Sequence, residues 1–422
     1  MHTKSYGHSN SSSRFARSRR KFGSARNYGS NSKYGSSGGS FGGASRFQRR
    51  NPYSGAYINT DLFVSKAVKG ESESMYVPTM TFNDYILVQT LQKNISKKAY
   101  LHPTKIQAEI IPQILSGQDV LGVACTGSGK TAAYLIPMIN KVIRNQGQKC
   151  LIIAPTRELI NQIRAEYSLL TSGTHLRDVV IMGGASYSEQ IRLIKKDPHF
   201  VIATPGRLLE LCERKQIDLS SFNNIILDEV DEMLDMGFIN DVKKIVTKLN
   251  NSRQSLFFSA TLSKKAEEVA NSLLRNPYKV EIERQEAVRN VDQDIVRIDS
   301  GKSKIDVLHG LLINADFKRV LVFSKTKRGA EEVSSELRKR GHKSGSLHGN
   351  KSLGQRSKVL SEFKKYEIDI LVATDVASRG IDVPDITHVI NYDPPATFTD
   401  YIHRVGRTGR MGKKGIALTF IR

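Results

Sequence analysis

The chain has 422 residues, of which 39% are hydrophobic, so it is long enough for two or three domains with cores of their own. Its 64 Lys and Arg residues outnumber its 41 Asp and Glu residues, and the resulting net charge of +23 favours a polyanionic partner such as nucleic acid. Three cysteines without C-x-x-C spacing, and no apolar run near the roughly 20 residues that span a bilayer, favour a reducing, non-membrane compartment such as the cytoplasm.

Residues 1–57 differ in composition from the rest of the chain. They contain eleven Lys and Arg residues, and the first acidic residue is Asp61. Gly, Ser and Asn fill the spaces between aromatic residues that recur from Tyr6 to Tyr53. Such a segment buries too little apolar surface to offset the entropy of ordering, so we predict a disordered basic tail. Its rings and cations suit unpaired bases and phosphates, which predicts an RNA tether, with a solubilising or self-associating tail as the alternative.

After a lead-in segment, residues 58–81, strand-like apolar runs alternate with helical patterns. The runs are Val120–Val123, Cys150–Ile153, Val179–Met182, Val201–Ala203, Ile225–Leu227, Leu256–Phe258, Arg319–Phe323, Asp369–Val372 and His388–Asn391. Helical patterns such as Ala132–Arg144 and Glu158–Leu170 lie between them. This alternation predicts an α/β fold with parallel sheets covered on both faces. The charged stretch Arg284–Gln293 is predicted to link a first domain, residues 82–283, to a second, residues 294–422.

The segment after the first strand has the sequence of a phosphate-binding loop. Val120–Val123 runs into Ala124-Cys-Thr-Gly-Ser-Gly-Lys130-Thr131, and a helical pattern follows. The residues expected to line the phosphates are Thr126, Gly127, Ser128, Gly129, Lys130 and Thr131. The glycines let backbone N–H groups approach, Lys130 neutralises the β- and γ-phosphates, and the Thr131 hydroxyl suits Mg²⁺. The loop departs from the general pattern at Ala124, where a Gly is usual.

A second strand, Ile225–Leu227, ends in the acids Asp228 and Glu229. Parallel strands present their carboxyl ends at one edge of a sheet, where ligands bind. We therefore predict that Asp228 holds Mg²⁺ through its water shell and that Glu229 orients or deprotonates an attacking water. In the second domain, Arg407 and Arg410 lie three residues apart and are predicted to stabilise the transferred phosphoryl group across a cleft. Hydrolysis should then require the two domains to close.

The motif Asp228-Glu-Val-Asp231 resembles the Asp-Glu-Ala-Asp motif of DEAD-box RNA helicases of superfamily 2, and further motifs of that family follow in order over residues 76–422. They are Ala99-Tyr-Leu-His-Pro-Thr-Lys-Ile-Gln107, Pro155-Thr-Arg-Glu-Leu159, Gly183-Gly184, Thr204-Pro-Gly-Arg207, Ser259-Ala-Thr261, Val372–Asp382 and His403–Arg410. The resemblance implies two tandem RecA-like domains. It also implies an enzyme that hydrolyses ATP to ADP and phosphate, coupled to RNA binding and to local unwinding of short duplexes.

The same resemblance implies roles for individual residues. Beside the phosphate-binding loop, the residues that contact ATP are Phe82, Tyr100, Gln107 and Asp382. Of these, Tyr100 stacks on adenine, Gln107 reads its edge, and Asp382 helps to hold the ribose or the closed state. The RNA-backbone contacts are Thr156, Arg157, Gly184, Thr204, Gly206, Arg207, Arg356 and Thr374. The residues that couple the phosphate site to RNA are Asp231, Ser259, Thr261 and His403.

Lys105, Val230 and Leu353 depart from the family pattern, and two other functions stay open. Val230 replaces the usual Ala, which could alter coupling, and Leu353 stands where many members have Gln, which could weaken an RNA or interdomain link. An ATP-gated RNA clamp or RNA chaperone, in which hydrolysis times release, would use the same motifs. A DNA helicase of the same superfamily is disfavoured by the adenine-reading and RNA-contacting segments. We expect a monomeric core, and the sequence names no protein partner.

Overall fold

The structure is a computed structural model that describes residues 63–65, 76, 78–125, 127–282, 290–314, 316–378, 383, 385–409 and 413–421. The tail predicted at residues 1–57 lies outside these residues, as do Thr126, Asp382 and Arg410. Among the described residues, no helix combines the length and the apolar character that crossing a bilayer requires.

The first domain is built on a parallel sheet, which has seven strands in the part of the chain that is described. The strands are β1 (Val120–Val123), β2 (Cys150–Ile153), β3 (Asp178–Ile181), β4 (Phe200–Ala203), β5 (Asn224–Leu227), β6 (Gln254–Ser259) and β7 (Tyr278–Glu281). They lie across the sheet in the order β3-β4-β2-β5-β6-β1-β7. The predicted α/β class is confirmed here, and the predicted strand bounds differ from the observed ones by one or two residues at some ends.

The helices of the first domain pack on both faces of this sheet. They are α1 (Gln89–Lys97), α2 (Lys105–Leu115), α3 (Lys130–Arg144), α4 (Arg157–Leu170), α5 (Tyr187–Ile194), α6 (Pro205–Glu213), α7 (Val230–Asp235), α8 (Ile239–Val246) and α9 (Lys264–Leu273). Several begin at a side chain that accepts a backbone N–H of the first turn, such as Thr156 before α4 and Ser263 before α9. Alternate strand residues serve the two faces: Ile152 joins one apolar core, and its neighbours Leu151 and Ile153 join the other.

The second domain repeats this architecture with a sheet that, in the described residues, has six parallel strands in the order β10-β11-β9-β12-β13-β8. The strands are β8 (Val291–Arg297), β9 (Val320–Phe323), β10 (Ser344–Leu347), β11 (Ile370–Ala373), β12 (His388–Asn391) and β13 (Gly415–Ile421). Its helices are α10 (Lys304–Leu312), α11 (Lys327–Lys339), α12 (Leu353–Lys364), α13 (Asp375–Ser378) and α14 (Phe398–Val405). Both sheets therefore agree with the predicted fold class.

The boundary between the domains differs from the prediction. Residues 291–293 were placed in the linker because charge masks their periodicity, but they form the start of β8 and pair with β13. The lead-in segment also contributes to the second domain, because Ser65 forms an isolated antiparallel bridge with Gln293. The predicted linker at 284–293 is thus too long at its carboxyl end.

A buried carboxylate before β1 joins this strand to β6 and to the segment that follows α9. Asp119 is 6% exposed, and its Oδ1 and Oδ2 accept the backbone N–H groups of Ser255 and Arg275, each at 2.8 Å. An Asn side chain offers one oxygen and would set an amide N–H₂ group against a backbone donor.

We expect Asp119→Asn to lower the free energy of unfolding of the first domain by about 1–3 kcal/mol, the usual cost of leaving a buried donor unpaired. Urea denaturation followed by circular dichroism measures this. The matched change Asp299→Asn, at a side chain that is 74% exposed, should stay within about 0.5 kcal/mol of the wild type. Equal stabilities of the two variants would contradict the structural role of Asp119.

Candidate active site between the two domains

The predicted nucleotide residues follow three neighbouring strands of the first sheet. β5, β6 and β1 lie side by side. Asp228 and Glu229 follow β5, Ser259 ends β6, and the phosphate-binding loop follows β1. Because parallel strands end at a common edge, these groups meet at one place.

The phosphate-binding loop has the backbone that its glycines allow. Gly127 and Gly129 have φ values of 88° and 94°, in the left-handed region that glycine adopts readily, and Gly129 caps the start of α3. Lys130 is 7% exposed, and its Nζ donates to the carbonyl oxygen of Ala124. The N–H of Ala124 donates to the carbonyl of Ser259 at 3.1 Å, so the loop is joined to β6. The Ala in place of Gly at 124 is fully buried and fits without disturbing this link.

Gln107 connects the predicted adenine-reading segment to the phosphate-binding loop. Its Oε1 accepts the N–H of Thr104 at 2.9 Å, and its Nε2 donates to the carbonyl oxygen of Gly129 at 3.0 Å. The Thr104 hydroxyl donates to the carbonyl of Ser128 at 2.9 Å. A Cβ on Gly129 would lie 2.5 Å from Gln107 Nε2, so the approach requires glycine. One N–H of the Gln107 amide remains for a base, and its contact with adenine stays a prediction.

The two aromatic residues predicted to contact ATP lie against each other. Phe82 and Tyr100 stack with ring centroids 6.0 Å apart, and Phe82 is only 4% exposed. The Tyr100 hydroxyl donates to Glu166 Oε1 at 3.1 Å, and Lys98, which is paired with Glu166, lies 4.8 Å from the Tyr100 ring centroid. Phe82 therefore supports Tyr100 from inside the domain, and Tyr100 is the better placed of the two to meet a base.

Two carboxylates lie buried side by side after β5. Asp228 is 2% exposed and Glu229 is 7% exposed, with Glu229 in a left-handed conformation at φ 54°. Burial raises the pKa of Asp228, and the charge of Lys130 opposes that rise. Burial and the neighbouring Asp228 raise the pKa of Glu229 to about 7, and Arg407 of the second domain acts in the opposite direction. Oε2 of Glu229 has no hydrogen-bond partner in the described part of the chain, so it can accept a proton.

The second domain reaches these carboxylates through α14 and the turn after it. Arg407 is 5% exposed, and its Nε donates to the carbonyl of His403 at 3.3 Å. Nδ1 of His403 lies 3.2 Å from Glu232 Oε1, and its Nε2 lies 3.8 Å from Asp231 Oδ2. The two domains are therefore in contact at the site, with Arg407 close enough to influence Glu229.

The four predicted coupling residues form a connected group. Oδ2 of Asp231 accepts the backbone N–H groups of Ala260 at 3.1 Å and Thr261 at 2.9 Å. The Ser259 hydroxyl donates to the carbonyl of Thr261 at 2.6 Å. With His403 beside Asp231, the start of α7, the end of β6 and α14 are linked at one point.

The predicted RNA residues of the first domain follow the other half of the sheet, at the ends of β2, β3 and β4. Thr156 caps the start of α4. Gly184 has a φ of 82°, and the guanidinium of Arg157 occupies the place where a Cβ of residue 184 would lie, so this position requires glycine. The Arg207 guanidinium lies 5.4 Å from the Tyr187 ring centroid, and its Nε lies 3.1 Å from Glu210 Oε2.

Thr204 and Gly206 surround the start of α6 next to these groups, and a Cβ on Gly206 would meet open space. At this edge of the sheet, the predicted nucleotide residues therefore follow β5, β6 and β1, whereas the predicted RNA residues of the first domain follow β2, β3 and β4.

Arg356 lies apart from this RNA group. Its Nη2 pairs with Glu158 Oε2 at 2.8 Å, and the two side chains are 12% and 6% exposed. Because α12 belongs to the second domain and α4 to the first, this is an interdomain ion pair. Leu353, also on α12, packs against the core of the first domain. Thr374 lies at the end of β11 and is 8% exposed, so RNA contacts by Arg356 and Thr374 stay predictions.

Comparison with known proteins agrees with this geometry. Residues 104–269 match the DEAD/DEAH box helicase family, and residues 303–412 match the helicase conserved C-terminal domain. The chain is 40% identical over 343 residues to the DEAD-box ATP-dependent RNA helicase CshA of Geobacillus kaustophilus, covering 81% of this chain and 73% of that protein. The chain belongs to the DEAD-box helicase family.

A further relative and a solved structure also resemble the chain. The ATP-dependent RNA helicase CshA of Listeria monocytogenes is 40% identical over 342 residues, which cover 81% of this chain and 66% of that protein, slightly less than two thirds. The structure of S. cerevisiae Dbp5 bound to RNA and ADP BeF3 superposes with a TM-score of 0.73 at 27% identity, covering 81% of this chain and 89% of that one.

Two of the departures from the DEAD-box pattern are accommodated by packing. Val230 is fully buried in one core of the first domain, and Asp231 still accepts both N–H groups of the Ser259–Thr261 segment. Leu353 packs its side chain against the core of the first domain.

The residues present fit a magnesium ion bound with a nucleotide. Mg²⁺ is usually held by one or two carboxylates together with substrate phosphates, so a dedicated cage is not needed. Within the described residues, no three His, Cys, Asp or Glu side chains are grouped to hold a metal by themselves. The Thr131 hydroxyl at the start of α3 and the Asp228 carboxylate after β5 supply oxygen donors, which suits this mode.

Tyr134 belongs to the site although the sequence analysis did not single it out. It is fully buried on α3, and its hydroxyl donates to Asp228 Oδ2 at 2.9 Å. The helical spacing could have indicated it, because Tyr134 follows Thr131 by three residues and therefore lies on the same face of α3. Its link to β5 depends on tertiary packing.

We expect Tyr134→Phe to raise the Mg²⁺ concentration needed for half-maximal ATP hydrolysis by about tenfold, since groups that orient a metal ligand commonly carry that much. Titration of Mg²⁺ at saturating ATP and RNA measures this. Tyr167→Phe provides the control, because Tyr167 is 1% exposed on α4 and lies outside the site. An unchanged Mg²⁺ requirement in Tyr134→Phe would remove Tyr134 from the site.

Proposed function

We propose that this chain is an ATP-dependent RNA helicase, which hydrolyses ATP to ADP and phosphate and couples hydrolysis to RNA binding and local unwinding of short duplexes. The observation that carries the proposal is the contact of the second domain with the buried acids after β5: His403 Nδ1 lies 3.2 Å from Glu232 Oε1, and Arg407, which follows the same helix, opposes the rise in the pKa of Glu229. The names of the CshA relatives and the RNA and ADP BeF3 bound to Dbp5 support it.

In the proposed reaction, a water attacks the γ-phosphorus while the bond from the γ-phosphorus to the β–γ bridging oxygen breaks. Glu229 accepts the proton of that water, for which its raised pKa and unpaired Oε2 are suited. Lys130 binds the phosphates, and Arg407 and Arg410 stabilise the charge of the transferred phosphoryl group. Magnesium, when bound through Thr131 and Asp228, would neutralise phosphate charge. Because the arginines belong to the second domain, turnover depends on contact between the domains.

The proposed RNA contacts are directed at the backbone. Hydroxyls, a glycine-rich turn and guanidinium groups at the ends of β2, β3 and β4 suit phosphates and 2′-hydroxyls and carry little sequence information. Arg207 supports this, because its buried Nη1 has no hydrogen-bond partner among the residues described. We further propose that the enzyme works as a monomeric core in the cytoplasm, on single-stranded RNA or short duplexes.

We expect Glu229→Gln to slow ATP hydrolysis by about 10²–10⁴-fold, because glutamine cannot accept a proton from water. Binding of ATP and of RNA should persist, since the loop and the RNA residues are intact. Single-turnover hydrolysis and filter binding measure the two properties. Glu268→Gln makes the same chemical change on the exposed surface of α9 and should behave as the wild type. Near-normal turnover in Glu229→Gln would exclude Glu229 as the base.

Strand displacement distinguishes the helicase from the other functions. We expect the wild-type protein with ATP to separate a short RNA duplex over repeated cycles. Glu229→Gln should separate at most one duplex per protein molecule, because it hydrolyses ATP too slowly to begin a second cycle. A protein that holds RNA in the presence of an ATP analogue but displaces no strand would be a clamp. Equal ATPase stimulation by RNA and DNA of the same sequence would contradict RNA specificity.

We expect deletion of residues 1–57 to weaken RNA binding and to flatten its dependence on salt, because eleven positive charges are lost. Each phosphate contact of a single strand contributes about 0.7 to the slope of log K against log salt. RNA affinity measured at several salt concentrations gives both changes. ATP affinity without RNA serves as the control and should not change. Unaltered RNA affinity and slope would reject the tether.

A further inference from the structure

Three residues of the lead-in segment, Phe63–Ser65, pack on the second domain although they precede the first domain in the chain. Phe63 is 2% exposed and belongs to an apolar core of the second domain. Its ring contacts that of Tyr401 on α14, with centroids 4.7 Å apart and the planes inclined by 55°. The next residue, Val64, is 49% exposed, so the contact depends on Phe63.

Backbone hydrogen bonds fix the same segment to β8. The N–H of Ser65 donates to the carbonyl of Gln293 at 3.1 Å, and the N–H of Gln293 donates to the carbonyl of Ser65 at 2.7 Å. Gln293 is 3% exposed, and its Oε1 accepts the hydroxyl of Tyr401 at 2.8 Å. Phe63, Ser65, Gln293 and Tyr401 therefore form a closed set of contacts between the segment, β8 and α14.

The helix held by these contacts carries the groups that meet the first domain. His403 lies two residues after Tyr401 and contacts Glu232, and Arg407 follows the end of α14. The N–H of Arg407 donates to the carbonyl of Arg404 at 3.1 Å, and its Nε donates to that of His403, so the position of Arg407 follows that of the helix.

A second set of contacts holds α14 about one turn further along, at Arg404. Arg404 forms two hydrogen bonds to Asp375, at 2.6 and 2.8 Å, and further bonds to Asn391 and Asp393. Arg404 fixes the helix to the sheet, and the Tyr401 contacts fix it against rotation about that attachment. A helix held at both places keeps its end in one position.

We propose that Phe63–Ser65 form a clasp that positions α14, and through it His403 and Arg407, against the carboxylates of the first domain. Phe63 is a positioning residue, because it acts through Tyr401 and touches no reacting group. The kinetic consequence of the clasp rests on the proposed ATPase function, whereas its effect on α14 does not.

The first test replaces Phe63 in the full-length protein. We expect Phe63→Ala to lower kcat of RNA-stimulated ATP hydrolysis by about tenfold or more, since small displacements of a charge-stabilising group have large effects on rate. Affinity for ADP without RNA should stay within about twofold, because the phosphate-binding loop belongs to the first domain. Phe63→Leu should restore part of kcat, and Val64→Ala should match the wild type. An unchanged kcat, or a parallel loss of ADP affinity, would overturn the proposal.

The second test breaks the backbone pairing and leaves the apolar core intact. Ser65→Pro removes the N–H that donates to Gln293, whereas Ser65→Ala keeps it. We expect kcat to fall only in Ser65→Pro, and equal values for the two variants would count against the clasp. This pair decides the question even if Phe63→Ala does not fold.

Hydrogen exchange tests the clasp independently of catalysis. In the nucleotide-free full-length protein, amides of residues 398–405 should exchange faster in Ser65→Pro than in Ser65→Ala, while amides of α3 should not differ. Identical exchange over 398–405 would overturn the proposal. If the wild-type protein hydrolysed no ATP, the proposed function would fail, yet this comparison would still decide whether the segment holds α14.

Discussion

The burial of two adjacent carboxylates is the constraint on which the rest of the site depends. Asp228 and Glu229 lie out of water at the end of β5, where an uncompensated pair of negative charges would be costly. Lys130 supplies one positive charge from the same domain, and Arg407 supplies another from the second domain. Contact between the domains is therefore part of the charge balance at the two carboxylates. The raised pKa of Glu229 follows from the same burial.

The contacts between the domains are of several chemical kinds, and they lie at separate places. His403 meets Glu232 beside the coupling group, Arg356 meets Glu158 at the start of α4, and Leu353 packs on the core of the first domain. Glu158 is the neighbour of Arg157, whose guanidinium lies beside Gly184, another residue predicted to contact RNA. The start of α4 thus meets the second domain through Glu158 and the predicted RNA residues through Arg157, so a rigid shift of this helix would affect both.

The sequence predicted those parts of the structure that local patterns encode. Short Val, Ile and Leu runs form strands buried on both faces, and the glycines of the phosphate-binding loop are required by its backbone, so fold and nucleotide site could be inferred together. The predicted linker wrongly includes residues 291–293, because the charged segment β8 has no strand pattern of its own and is recognised as a strand only by its pairing with β13.

Tyr134 and Arg356 make contacts that could not be predicted from the sequence. Neither the bond from Tyr134 to Asp228 nor the pairing of Arg356 with Glu158 follows from spacing, because each joins elements far apart in the chain. The docking of Phe63 on the second domain is equally remote from any local signal.

The bond between Gln107 and Gly129 has a consequence for how a nucleotide is discriminated. The Gln107 carboxamide, which is predicted to read the base, also supports the last turn of the loop before α3. A ligand with an unsuitable base would pull on that amide, and the strain would pass to the N–H groups that hold its phosphates. A nucleotide with the wrong base would then bind its phosphates more weakly. A single side chain would thus make the affinity for the triphosphate depend on the base at the other end of the nucleotide.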